Sequence, residues 1–340
     1  MFLRFAMKYK ITAVFTIFVF VMNLGASTFA DTKSRKGAND LVALLPASDG
    51  VIVVDSKRVF SEALPKILAS NQAMLTRVNA GIDEVKTRIG IDVREFDSMA
   101  VGITARQLGE KQYDVDPVIV GRGQKTSASL IGAAKIASNG KYREEHVGER
   151  VMYIFELQKV VSPQATPSFL EKMTEVAVSA LDEKTIAFGE VGRVRQTLEG
   201  KTRVGADLVT LLEKSLTSVG AFAIKPPTGL KSFLPIENDE LGKNIDSIQY
   251  IYGHAAVGAD NATVHVTART LENTQAKGLY DTLQVVQILG KSLLGGSKAA
   301  DKQVYVRLID SAKFAVKGNE VTFDLAVPQS DIDILVGSIK

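Results

Sequence analysis

The sequence predicts an α+β protein: two repeated mixed αβ units with antiparallel or mixed sheets, following an N-terminal secretion leader. Three observations carry this expectation. Strand-like runs come in pairs as well as alternating with helices, which disfavours a pure doubly wound sheet. The order of elements in the first half recurs in the second, with variable connectors. The first thirty residues have the layout of an export signal.

That leader begins with Arg4, Lys8 and Lys10 and contains no acid. Ile11 to Met22 then form a twelve-residue apolar run, and Ala26-Ser27-Thr28-Phe29-Ala30 supplies small residues for cleavage after Ala30. Twelve helical residues cover about 18 Å, short of the roughly 30 Å of a bilayer core, so a cleaved leader is expected over a retained anchor. The expected destination is the bacterial periplasm or the extracellular space. The organisation then reads as leader 1–30, polar tether 31–40, first unit 41–204 and second unit 205–340.

Charge follows the same division. The whole chain has 41 Lys and Arg against 38 Asp and Glu, and three of those cations belong to the leader. The remaining 310 residues therefore carry 38 of each sign, which gives no electrostatic footprint for nucleic acid. Cysteine is absent, so disulfides, thiolate metal sites, cysteine nucleophiles and lipid attachment at the leader are excluded. Stability must come from cores, and a chain of this length buries roughly 75% of its unfolded surface.

In the first unit, Val51 to Val54 is a strand whose continuous apolar run suits burial on both faces. Phe60 to Leu68 is a short helix. Leu75, Val78, Ile82, Val85 and Ile89 recur at steps of three or four, an amphipathic helix that Gly90 ends. Strands are expected at Ser98 to Thr104, Pro117 to Val120 and Val151 to Leu157, with a helix over Ser127 to Ala137 stopped at Asn139-Gly140. Val176 to Leu181 and Lys184 to Phe188 flank a turn at Asp182-Glu183, and a short helix reaches Leu198.

The second unit reads as a helix at Asp207 to Leu216, then strands at Ala221 to Ile224, Ile248 to Gly253 and Thr263 to Ala268. A helix over Asn273 to Leu289 presents Leu279, Leu283, Val286 and Leu289 on one face. Strands at Val304 to Ile309, Ala312 to Val316 and Val321 to Val327 precede a helix at Gln329 to Gly337. Asp97-Ser98-Met99 parallels Asp246-Ser247-Ile248, and Thr185 to Ala187 parallels Thr322 to Asp324, each before the same kind of element. Duplication explains this order better than one continuous sheet, with the boundary near Gly200 to Gly205.

No established catalytic motif is complete. Gly121-Arg122-Gly123-Gln124-Lys125-Thr126-Ser127 lies between a strand and a helix and suggests an anion site built on Arg122, Lys125 and Thr126. It lacks the glycine before lysine, and the earlier glycine, of a nucleotide loop; Gln124 and Ile119 stand there. A turn with exposed polar residues is the ordinary explanation. His146, in Glu144-Glu145-His146, is the other ligand candidate, although neighbours on an extended chain point to opposite faces. His254 and His265 are separated by eleven residues, which allows them to meet across adjacent strands, but no histidine pair has the spacing of a zinc helix. No metal and no cofactor is expected.

Ser48-Asp49-Gly50 and Asp55-Ser56-Lys57 flank the first strand, and the acidic pairs Asp182-Glu183, Asp239-Glu240 and Asp331 with Asp333 read as solvated turns. The loop from Lys225 to Pro235 offers Leu230, Phe233 and Leu234 as partner anchors, or as a flap closing the second core.

Leu45-Pro46-Ala47-Ser48-Asp49 leading into a valine-rich strand, with Asp182 to Gly189 before Val194-Arg195-Gln196-Thr197-Leu198-Glu199, resembles uncharacterised exported bacterial proteins. The resemblance spans residues 41 to 340 and implies an envelope setting, with no activity or residue role attached. The functional expectation is a noncatalytic exported or envelope protein binding a protein or small ligand, with membrane contact only through an uncleaved leader. The alternative is a hydrolase or anion-binding enzyme using the 121–127 turn and His146.

Overall fold

The computed structural model describes residues 40–109, 112–157, 174–214, 218–227, 229, 239–258, 260–296 and 299–338. The leader, nearly all of the tether, and Leu230, Phe233 and Leu234 lie outside these described residues.

β1 (Gly50–Val54) has every residue buried, as its unbroken apolar run requires of a strand covered on both faces. It is a central strand of one twelve-stranded sheet ordered β11-β12-β10-β9-β8-β1-β2-β3-β7-β6-β5-β4. The first-half strands are β2 (Phe96–Gly109), β3 (Gln112–Gly123), β4 (Tyr142–Val147), β5 (Arg150–Glu156), β6 (Glu175–Ala180) and β7 (Thr185–Gly189). The second-half strands are β8 (Gly220–Ile224), β9 (Ile248–Val257), β10 (Asn261–Thr270), β11 (Lys313–Lys317) and β12 (Glu320–Pro328). Every neighbouring pair is antiparallel.

The α+β class is as expected, but the halves do not close separate sheets. β1 and β8 pair along their whole length, from Gly50 opposite Ile224 to Val54 opposite Gly220, with Ile52 facing Phe222 at the middle. The strand path is alike on the two sides of this seam. On each, three strands form a meander, a helix follows, and a hairpin returns its second strand to pair with the third of the meander. The first half adds the β4-β5 hairpin at its edge, where the second places a helix.

Helices cover the two faces unequally. One face carries the helical turns Ser56–Arg58, Val59–Ala63 and Leu64–Ile67, then α1 (Gln72–Ile89) and α2 (Ser127–Ala137) over Ile52, Val54, Phe96, Val178 and Ile186. Asn71 caps α1 through Met74 N, and Gly90 ends it at φ 72°. The opposite face, with Val51, Val53, Ala100, Val118 and Ala221, packs under α3 (Val191–Glu199), α4 (Ala206–Glu213) and the segment holding Leu41, Val42 and Leu45.

In the second half, α5 (Asp239–Asp246), α6 (Asn273–Gly295), α7 (Ala300–Ser311) and α8 (Gln329–Ser338) complete the chain order. α6 packs on β10, β11 and β12, and Ile245, Ala276, Leu279 and Val321 share a core with it. In β9, β10 and β12, Ile251, Val266 and Val327 face the helices, and the buried Tyr252 lies on the other face with His265 and Asp324.

Several local expectations are corrected. Val304 to Ile309 is not a strand but lies within α7, where Val304 is fully buried and the helix packs on α6 and β12. Its β-branched residues favour a strand locally, and tertiary packing overrides that preference. Asp239-Glu240 begins α5 rather than forming a turn. β4 is an added edge strand whose charged sequence, Tyr-Arg-Glu-Glu-His-Val, conceals the usual apolar alternation. The expected apolar face of α6 is divided: Leu279 is buried, while Val286 and Leu289 are exposed.

Candidate functional site

The sequence-derived candidates do not converge. Gly121, Arg122 and Gly123 lie inside β3 rather than in a turn, and only residues 124–126 link it to α2. The glycines answer to packing. A Cβ at Gly121 would stand 2.7 Å from the Phe96 ring, and one at Gly123 would stand 2.2 Å from the Glu95 carbonyl oxygen.

Arg122 Nε donates to Thr185 Oγ1 at 3.0 Å, and its guanidinium lies 3.8 Å from both Asp40 and Asp182. Lys125 Nζ donates to Glu95 Oε1 at 2.5 Å, which raises the lysine pKa. Thr126 caps α2 by accepting from Ser129 N. His146 is exposed on the edge strand β4, between Glu145, paired with Arg195, and Val147. Arg122, Lys125 and Thr126 thus each have a protein partner.

The histidines at 254 and 265 face each other across β9 and β10, with ring centroids 5.2 Å apart. His265 Nδ1 is 2.6 Å from Asp324 Oδ1, while His254 Nδ1 is buried with no protein partner. Burial, and then the His265 charge, hold His254 below the ordinary imidazole pKa, against the pull of Asp324. No group of three or more His, Asp and Glu side chains among the described residues can hold a metal ion.

A different arrangement forms where the Leu45-Pro46-Ala47-Ser48-Asp49 segment crosses the sheet into β1. A cleft of about 450 Å³ is lined by Ala47, Ser48, Asp49, Thr104, Arg193, Gln196, Glu199, Lys201 and Thr202. Gly102 in β2 permits the crossing, since a Cβ there would sit 2.7 Å from Ser48 Oγ and 3.4 Å from Leu45. Asp49 anchors the segment twice, its N–H donating to Ile103 O and its Oδ2 accepting from Ala105 N. Its carbonyl also accepts from Lys225 N beside β8, so this corner adjoins the seam between the halves.

α3 brings Arg193 to the cleft. Glu190 caps the helix through Gly192 N and Arg193 N, and Val194 and Leu198 bury the adjoining apolar stripe. This sets Arg193 against the sheet at 6% exposure. Nη1 donates to Ala47 O at 2.9 Å and to Gln196 Oε1 at 2.7 Å, and Nη2 donates to Ser48 Oγ at 2.7 Å. Nε has no protein partner, and neither does the buried Thr104 Oγ1 in the same cleft.

Arg193 differs from the other buried charges. Asp92 contacts Arg94 and Lys86, and Asp331 contacts Arg307. Among the described residues Arg193 has no carboxylate in ion-pair contact. Burial pulls its pKa down, while Asp116, Glu190 and Asp49 oppose that from farther away. Burial in turn raises the pKa of Asp116, which Arg106 and Arg193 partly offset and Glu190 and Asp114 reinforce. A buried guanidinium satisfied by neutral acceptors favours an additional anionic acceptor.

The sequence marks Ser48 and Asp49 as residues flanking β1, whereas Arg193 stands in no recognisable motif. Its available signal was a charged residue beside Val194 and Leu198 in a short amphipathic helix, four positions before the buried Thr197.

The chain matches no protein-family model, and no curated protein matches it in sequence. Solved structures of TP0453 in crystal forms I, III and IV are similar at 12% identity, with TM-scores of 0.44, 0.45 and 0.45. They cover 88%, 88% and 90% of this chain and 97%, 98% and 100% of their own. No helix among the described residues is long and apolar enough to cross a membrane.

Proposed function

We propose that the protein is a noncatalytic exported or envelope protein that binds a small ligand in the cleft beside Arg193. The observation that carries this reading is a deeply buried cation whose Nε lacks a protein partner, lining a cleft large enough for a small molecule. Ser48 offers no sign of nucleophilic activation: its Oγ donates to Pro46 O and accepts from Arg193. Export is supported by the leader's charged, apolar and small-residue succession. The similar strand paths on either side of the β1-β8 seam support duplication of an ancestral αβ unit.

Native mass spectrometry of protein recovered from the envelope or external fraction tests this function. The expected species begins at Asp31 and carries a noncovalent small-molecule adduct that denaturation releases. A full-length cytoplasmic chain would refute export, and an exclusively unliganded folded species would refute ligand retention.

A further inference from the structure

The protein's own ion pairs indicate what the unpartnered Nε edge of Arg193 accepts. Arg94, Arg195, Arg269 and Arg307 each direct Nε and Nη2 to one carboxylate, respectively Asp92, Glu145, Glu320 and Asp331. This planar two-nitrogen edge matches the two oxygens of a carboxylate. Arg193 uses Nη1 and Nη2 to fasten Ala47, Ser48 and Gln196, leaving its Nε–H without a protein acceptor. Fastening the crossing segment therefore accounts for only part of the guanidinium.

We propose that the cleft binds a small α-hydroxy or α-amino carboxylate, whose carboxyl group completes the Nε edge of Arg193. The proposal rests on the ligand-binding reading above and gives that ligand a chemical class. Lys201 lies 3.3 Å from Glu199, so these rim charges largely compensate each other. Arg193 and Asp49 remain as opposite charges, joined by the hydroxyls of Ser48, Thr104 and Thr202. Arg193 receives the carboxylate, while Asp49 accepts from the ligand's hydroxyl or ammonium group. The buried Thr104 hydroxyl supplies another polar contact within the cleft. Gln196 is exposed and can swing from Arg193 to admit the ligand.

A phosphate dianion suits this site less well. Asp49 lines the cleft, and Asp116 and Glu190 add negative potential near Arg193. A carboxylate brings one negative charge to one guanidinium edge, whereas a dianion brings a second charge against these acids.

Isothermal titration of the full exported chain distinguishes these alternatives, using L-lactate, glycine and L-glutamate as probes. Methyl lactate and inorganic phosphate serve as the ester and dianion controls. At least one carboxylate probe is expected to bind saturably, with methyl lactate at least tenfold weaker. Arg193→Lys, which keeps a cation but removes the fork, should weaken binding at least tenfold. Thr104→Val preserves side-chain shape and should weaken it several-fold, with the unfolding transition intact. This second variant keeps the test decisive if Arg193→Lys does not fold.

Preferential phosphate binding lost in Arg193→Lys would overturn the carboxylate assignment while leaving a ligand-binding cleft. Undiminished carboxylate binding in the folded variants would place that ligand elsewhere and overturn both assignments to this cleft. No binding of any carboxylate probe by the folded parent would overturn the chemical class, and the native-mass measurement would separately decide ligand retention.

Discussion

Replacing Asp92 with Asn should remove a defined pH-dependent part of the protein's stability. Asp92 lies where α1 hands over to β2, with its side chain 8% exposed. Oδ1 accepts from Arg94 N at 3.0 Å and from Arg94 Nε at 2.8 Å, while Oδ2 accepts from Arg94 Nη2 at 2.7 Å. Lys86 Nζ is 3.3 Å from Oδ2. Burial alone raises the carboxyl pKa, but the hydrogen bonds and positive charge of Arg94, aided by Lys86, hold it at about 2 against an ordinary 3.8.

Because the folded pKa is depressed, the folded state binds this proton less readily than the unfolded state. The contribution is present above the unfolded value and is lost as pH falls through the folded value. At about 1.4 kcal/mol per unit, reduced for the partial exposure of Arg94, it is worth about 2 kcal/mol at neutral pH. About half should be gone by pH 3. Urea unfolding of parent and Asp92→Asn from pH 7 to pH 3 measures it, since the difference between them cancels carboxylates titrating elsewhere. The expected gap is about 2 kcal/mol at pH 7, narrowing toward half of that at pH 3. A gap that stays constant with pH would refute the ionic account.

Two other sites extend the test. Gly121→Ala should destabilise the fold by about 1–3 kcal/mol, because its methyl group enters the space of buried Phe96, which stacks on Phe188 at 5.8 Å. Urea unfolding should show the loss with cleft binding preserved, and an unchanged midpoint would contradict the packing role of this glycine. His254 should titrate below 6.5 by NMR, and acidification through 6.5 should destabilise the folded chain because its buried ring resists protonation. His254→Gln should lessen the stability lost between pH 7 and pH 5, read by urea unfolding. A histidine midpoint above 6.5 would remove the desolvation argument.

Much of the fold is legible from local pattern. Val51 to Val54 specifies a doubly covered strand, the Leu75 to Ile89 spacing specifies α1, and Asn139-Gly140 follows α2 with both residues at positive φ. These signals lie within a few neighbouring residues. Val304 to Ile309 misleads because β-branched composition favours extension, whereas its helix is settled by contact with α6 and β12. Gly121-Arg122-Gly123 misleads for a related reason: the glycines relieve contacts with Phe96 and Glu95, side-by-side relations that the linear motif does not contain.

The sequence by itself determined the α+β class, the balanced charge of residues 31–340 and most strand and helix positions, because hydrophobic periodicity, turn residues and composition are local properties. Only the tertiary structure decided that both halves share a sheet across β1 and β8, and that Arg193 meets Ser48 and Thr104 in one cleft. Residues 145 positions apart become hydrogen-bond partners there because Gly102 leaves room for the crossing segment and α3 packs down on it. Such convergence depends on three-dimensional proximity and burial, which neither the spacing nor the chemistry of the individual residues contains.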